Sequence, residues 1–252
     1  MLLSSFFRSF DVGDGTVDVA IIVFEIIGVI SFSISGAFVG VDKEMDLVGV
    51  IFLSIITSFF GGIMRDLILG RTPIFFTDKI MYIYIAVSVL TAVAVFIFAA
   101  IFKRRYVKEE ERLTRINNYI DAVGIGVFSV SSVMGATEYL ESVGREPAPF
   151  LVITVGMISA VGGGVIRDVC MREIPFVFRK RIYALASLGG AVIYYLLSTF
   201  AFGQNNAAGQ VISCIVGATF VIGIRVLATV FKWNLPKAIK FSELEEEMKK
   251  EG

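Results

Sequence analysis

Seven apolar stretches, each long enough to cross a bilayer as a helix, limit what this chain can become more than any other feature. A hydrocarbon core about 30 Å thick is spanned by about 20 residues rising about 1.5 Å each. Stretches of that kind run over 17–39, 46–69, 80–102, 119–138, 149–171, 181–201 and 207–231. A membrane barrel would instead need strands of about 9–11 residues with alternating polarity, and these runs are longer and do not alternate. The expected fold class is an all-α membrane protein with seven transmembrane helices. A hydrophobic content of 56%, against about 45–50% in soluble domains, is more than a soluble core absorbs.

Basic residues in short loops remain cytoplasmic, and here they divide unequally between the two sides. Sixteen, among them Lys43, Arg104, Arg112, Arg172, Arg181 and Lys237, fall on one side, and Arg8, Arg71, Lys79 and Arg145 are the four on the other. The N-terminus is therefore expected outside and the C-terminus in the cytoplasm. Asp11, Asp14 and Asp18 stand where a cleavable signal would carry basic residues, so the first apolar run is expected to stay. The charged run Ser242 to Lys250 reads as a solvated tail.

The chain repeats itself. Phe60-Gly61-Gly62-Ile63-Met64-Arg65-Asp66 returns as Gly162-Gly163-Gly164-Val165-Ile166-Arg167-Asp168, and Pro73-Ile74-Phe75-Phe76 returns as Pro175-Phe176-Val177-Phe178, both at an offset of 102. Upstream, Glu25 with Gly28, Ser33 and Ser35 matches Asp121 with Gly124, Ser129 and Ser131 at an offset of 96. Each copy holds three spans, so the second begins on the opposite side of the membrane from the first. The expected organisation is an extracytoplasmic segment 1–16, a first three-helix repeat 17–102, a charged cytoplasmic loop 103–118, a second, inverted repeat 119–201, a seventh helix 202–231 and a cytoplasmic tail 232–252. Inverted repeats of this kind build transport proteins, with the pathway at the repeat interface.

Glycine inside a helix costs up to about 1 kcal/mol relative to alanine, so Gly61, Gly62, Gly162, Gly163 and Gly164 need a reason. Two are open: close packing of helices through small residues, or a kinked or broken helix whose freed backbone groups face a cavity. Ionisable groups in membrane helices are functional candidates, and the spans hold Glu25, Arg65, Asp66, Asp121, Arg167 and Asp168. Glu25 is expected to pair with Arg65 and Asp121 with Arg167, either as structural ion pairs or as charges of a pathway. Asp66 and Asp168 are expected to cap or to snorkel. Arg225 is expected to snorkel toward the cytoplasmic end of the seventh helix. Ser33, Ser35, Ser129 and Ser131 are candidate hydroxyl linings and equally good packing residues.

Several classes fall away. Net charge is zero and histidine is absent, so no nucleic-acid surface, metal site or other cofactor is expected. Cys170 and Cys214 lie in different apolar segments without CxxC spacing and read as small hydrophobes. Catalysis by an aspartyl dyad would need Asp66 and Asp168 close together, whereas inversion sends them toward opposite leaflets, roughly 20 Å or more apart. No catalytic residue and no enzyme activity are expected.

The doubled Gly-Gly-x-x-Arg-Asp at 61–66 and 163–168, each followed by Pro-x-Phe/Val-Phe, resembles the prokaryotic branch of the trimeric intracellular cation (TRIC) channels, a repeat also labelled a glycine transporter family in bacteria. The likeness runs over about residues 17 to 231. It implies a homotrimer in a prokaryotic plasma membrane, surrounded by lipid, with one potassium-permeable pore per protomer. It also implies that Gly61, Gly62, Gly163 and Gly164 bend the second and fifth spans around that pore, and that Arg65 and Arg167 are pore-region charges. The alternative from the same architecture is a secondary transporter for a small zwitterion such as glycine, with Glu25 or Asp121 coupling a proton or sodium ion.

Overall fold

The computed structural model describes residues 15–102, 109–179, 182–203, 206–231 and 233. Among them every regular element is helical: α1 Gly15–Asp42, α2 Leu47–Ile68, α3 Ile74–Thr77, α4 Ile80–Ile101, α5 Glu110–Ser142, α6 Pro149–Cys170, α7 Phe176–Arg179, α8 Ile182–Leu196, which ends in a π-helical turn Leu197–Ala201, and α9 Ala207–Val230. Seven of these are long and apolar enough to cross a membrane. Phe52, Leu90, Phe150 and Phe200 point outward and are largely exposed. Side chains of that size belong against lipid tails, and the chain is an integral membrane protein.

The helix ends agree with the apolar runs to within three residues except in α5. There the charged residues 110–118, expected as loop, already form helix, because Glu, Arg and Leu are good helix formers that need no apolar surroundings. The expectations for residues 1–14, for the basic run 103–108, for Lys180 and Arg181, and for the tail from 234 onward lie outside the described residues.

Helices α1, α2 and α4 form one repeat and α5, α6 and α8 the other. Their inversion is visible in contacts that a residue makes with its own counterpart, which only a two-fold relation produces. Phe32 stacks on Phe128, its partner at offset 96, with ring centroids 5.3 Å apart and planes inclined by 11°. At the α2–α6 crossing Gly61 faces the carbonyl of Ser159 while Gly163 faces that of Thr57, a reciprocal pair at offset 102. Below, the N face is the side on which α1 begins and the C face the side on which α9 ends.

Local chemistry sets the ends of the elements. Asp46 accepts the Gly49 amide at 2.7 Å ahead of α2, and Asn206 accepts the Gly209 amide at 3.0 Å ahead of α9, each satisfying an orphan donor. Helices α2 and α6 both close through a left-handed residue, Gly70 at φ 74° and its counterpart Arg172 at φ 57°. Helix α9 has no counterpart. It packs against α5 and α8, so it adds to the second repeat something the first lacks.

Candidate functional site: two charge clusters across a glycine crossing

Helices α2 and α6 run without interruption through their glycines, so of the two readings left open an outright break is removed. The crossing explains why. A Cβ on Gly61 or Gly163 would collide with the backbone oxygen facing it, and one on Gly162 would stand 3.2 Å from Gly61 Cα. One on Gly164 would lie 2.6 Å from the Tyr183 hydroxyl, whereas around Gly62 nothing lies within 4 Å. Gly61, Gly162 and Gly163 therefore serve the close approach of the two backbones, whose packing offsets the helix propensity they forgo, and Gly164 makes room for the Tyr183 side chain of α8.

On the C face, Asp121 of α5 sits between two guanidinium groups. Arg167 Nη1 lies 3.4 Å from Oδ1 and Arg225 Nη1 3.3 Å from Oδ2. Ser35 of the other repeat donates to Asp121 Oδ1 at 3.1 Å and accepts from Arg167 Nη1 at 2.5 Å. Arg167 also donates to Asp168 Oδ1, from Nε at 2.9 Å and from Nη2 at 2.8 Å. The second oxygen of Asp168 accepts the amide of Phe176, the first residue of α7, at 2.8 Å. Arg225 lies over the Tyr183 ring, 4.1 Å from its centroid. Asp121, Arg167, Asp168 and Arg225 are all buried, two charges of each sign compensating one another where an unpaired charge would be costly. Arg225 thus does not snorkel: it is buried against Asp121, and the Tyr183 face completes its coordination.

On the N face, the same residue types are arranged differently. Glu25 does not pair with Arg65; it accepts a hydrogen bond from the Tyr84 hydroxyl at 2.8 Å. Arg65 turns to the adjacent Asp66, with Nε 2.8 Å from Oδ1, and Arg71 donates to that same oxygen at 2.9 and 2.7 Å. The other oxygen of Asp66 accepts the Ile74 amide at 2.8 Å, so both aspartates of the repeated motif cap the short helix that follows. Arg71 also lies over Tyr139, 4.7 Å from the ring centroid. A cavity of about 500 Å³ opens here, with Glu25, Arg65, Arg71, Asp78, Ser131 and Glu138 in its lining. Ser131 is 2% exposed, and its hydroxyl has no hydrogen-bond partner among the described residues.

The two faces are therefore one design in two states. Ser35, Asp121 and Arg167 are drawn together; their counterparts Ser131, Glu25 and Arg65 stand apart around a cavity. Ser33 and Ser129 line neither. Ser33 bridges Ser58 at 2.9 Å and Ser88 at 2.8 Å, and Ser129 donates to the Ser187 carbonyl at 2.6 Å, so these hydroxyls fasten the first helix of each repeat to its neighbours. Tyr84, Tyr183 and Arg71 escaped the reading of the sequence. The Tyr-x-x-x-Ser spacing shared by 84–88 and 183–187, at offset 99, is the signal that points to the two tyrosines.

The family model described as "Glycine transporter" matches residues 22–100 and 118–199. A UPF0126 membrane protein of Deinococcus radiodurans is 35% identical over 194 residues, covering 75% of this chain and 81% of that protein. The UPF0126 inner membrane protein YadS of Escherichia coli K12 is 33% identical over 218 residues, covering 84% and 91%. Among solved structures, one described as "Structural basis for conductance through TRIC cation channels" superposes with a TM-score of 0.69 at 32% identity, covering 86% of this chain and 97% of the other. A prokaryotic TRIC channel crystallised in 0.5 M KCl gives 0.68 at 31%, covering 85% and 98%.

Proposed function

The chain belongs to the glycine transporter family, in the branch of the prokaryotic TRIC channels, and from that membership and the geometry above we propose that it is a monovalent cation channel, chiefly potassium-permeable. It works as a homotrimer in a lipid bilayer, with one pathway in each protomer between α1, α2, α5 and α6. The observation that carries this reading is the pair of charge clusters placed by the inverted repeat at the two ends of one glycine crossing, the N-face one opening into a cavity. Three carboxylates there, Glu25, Asp78 and Glu138, outweigh two arginines that share Asp66, and a negative vestibule concentrates cations. Selectivity then comes from charge and field strength rather than from a metal-type ligand set. The glycines shape the pathway by letting α2 and α6 curve past one another at contact.

With the basic loops in the cytoplasm, the N face is extracellular, and the cavity on that face supports an outward-facing reading of this state. The Asp121–Arg167–Arg225 cluster closes the cytoplasmic end, and conduction requires it to part. Recording from purified protein in a planar bilayer under asymmetric KCl tests the proposal. Unitary currents reversing near the potassium potential are expected. Silence in the bilayer, together with saturable glycine uptake into liposomes, would replace the channel with the second reading, a carrier of a small zwitterion. That reading draws on the difference between the two faces, since one open and one closed end is also what an alternating-access transporter presents.

A further inference from the structure

Each repeat places the same four groups around its motif: a carboxylate, an arginine, a tyrosine, and the glycine three residues before the arginine. The two copies hold them in opposite arrangements. On the C face Asp121 pairs with Arg167. The Tyr183 hydroxyl there has no hydrogen-bond partner among the described residues and lies against Gly164, so close that a Cβ on that glycine would be 2.6 Å from it. On the N face Tyr84 instead donates to Glu25 at 2.8 Å, Arg65 turns to Asp66, and the space over Gly62 is open to 4 Å. That space belongs to a crevice of about 60 Å³ with Gly62, Arg65, Tyr84 and Glu25 in its lining. Its volume is several times the about 10–15 Å³ that a water needs, so a phenol hydroxyl fits.

We propose that Tyr84 is the latch of the N face: its bond to Glu25 keeps that carboxylate from Arg65 and the vestibule open, and when the hydroxyl moves onto Gly62 the carboxylate turns to Arg65 and the face closes. The C face displays the product of that exchange, residue for residue. Arg65 need not release Asp66, because Arg167 holds Asp121 and Asp168 together. Ser131, unpartnered among the described residues, then bridges the pair as Ser35 bridges Asp121 and Arg167. The Tyr84 ring stays packed with Val29, Phe59 and Ile80, since Glu25 and Gly62 flank the same crevice. A carboxylate away from bulk water requires a donor, so loss of the tyrosine bond favours the guanidinium. The proposal rests on the reading of a path that opens to the N face. Its readout, access to the vestibule, is independent of conduction, so silence in the bilayer would remove the channel and leave the latch standing.

The test is the rate at which a cationic methanethiosulfonate modifies a single cysteine introduced by Gly135→Cys, beside Arg65 in the vestibule lining. The parent protein carries Cys170→Ser and Cys214→Ala in place of its native thiols and is held in lipid nanodiscs. Tyr84→Phe, which keeps the ring and removes the bond, should slow modification by about fivefold or more. In an Arg65→Ala background the same substitution should leave the rate unchanged, because the group that closes the face is gone. A Tyr84→Phe rate equal to that of the parent would overturn the proposal. So would an equal slowing in the Arg65→Ala background, which would mark a packing effect of the lost hydroxyl and no exchange of partners.

Discussion

Gly61 and Gly62 are adjacent in α2, yet the structure gives them opposite sensitivities to a single methyl group. A Cβ on Gly61 is driven into the Ser159 carbonyl of α6, while one on Gly62 meets nothing within 4 Å. Neither backbone at the crossing can yield by a side-chain rotation, so Gly61→Ala must push α2 and α6 apart. Overpacking of this kind costs about 1–3 kcal/mol, and with backbone on both sides the upper end applies. Alanine returns about 1 kcal/mol of helix propensity, leaving a net loss of about 2 kcal/mol for Gly61→Ala and a net gain of up to about 1 kcal/mol for Gly62→Ala. At roughly 2–4 °C per kcal/mol for a chain of this size, the first variant should lose about 4–8 °C and the second gain up to about 4 °C. Thermal unfolding in detergent, followed by the surviving monodisperse fraction, measures both. If Gly61→Ala unfolds no lower than Gly62→Ala, the helices are not in contact at the crossing and the glycines need another explanation.

Four further substitutions separate the two faces and the two repeats. Ser35→Ala removes a hydroxyl that bonds both Asp121 and Arg167 and should destabilise by about 1–3 kcal/mol, whereas Ser131→Ala removes an unpartnered hydroxyl and should be nearly neutral in the same thermal assay. Arg225→Ala leaves the buried cluster one positive charge short and should lower stability by about 3–5 kcal/mol; guanidinium chloride at low millimolar concentration should restore part of the lost melting temperature, and no restoration would contradict the clasp by Asp121 and Tyr183. Arg172→Gly relieves a left-handed residue that the first repeat already fills with Gly70 and should raise stability by about 1 kcal/mol, visible as a higher melting temperature.

The sequence made the seven spans and the inversion legible because span length is a direct consequence of bilayer thickness, and because a motif repeated at constant offset fixes three intervening crossings. It was also enough to bring Asp121 and Arg167 together across the C face. It was not enough for Glu25 and Arg65, which occupy the equivalent positions. There Arg65 has Asp66 beside it, Arg71 joins the same carboxylate, and Tyr84 offers Glu25 a neutral partner. The choice among competing partners depends on three-dimensional placement, not on spacing. Arg225 was hidden for a related reason: its partner lies 104 residues away on a helix that α9 meets only in the folded bundle, and no repeat counterpart announces it. The glycines were ambiguous between a break and a crossing until the opposing carbonyls of Ser159 and Thr57 came into view.

The claim at the centre of this account is that the C-face cluster closes a cation path whose N-face end is open. Single-channel recording of Arg65→Ala and Arg167→Ala beside wild type, in a planar bilayer under asymmetric KCl, tests it directly. Arg167→Ala removes the bond that draws Asp121, Asp168 and Ser35 together and should raise open probability, while Arg65→Ala, in the vestibule, should change unitary conductance and leave open probability near that of wild type. Unitary currents that neither substitution alters would place the path elsewhere and contradict the account.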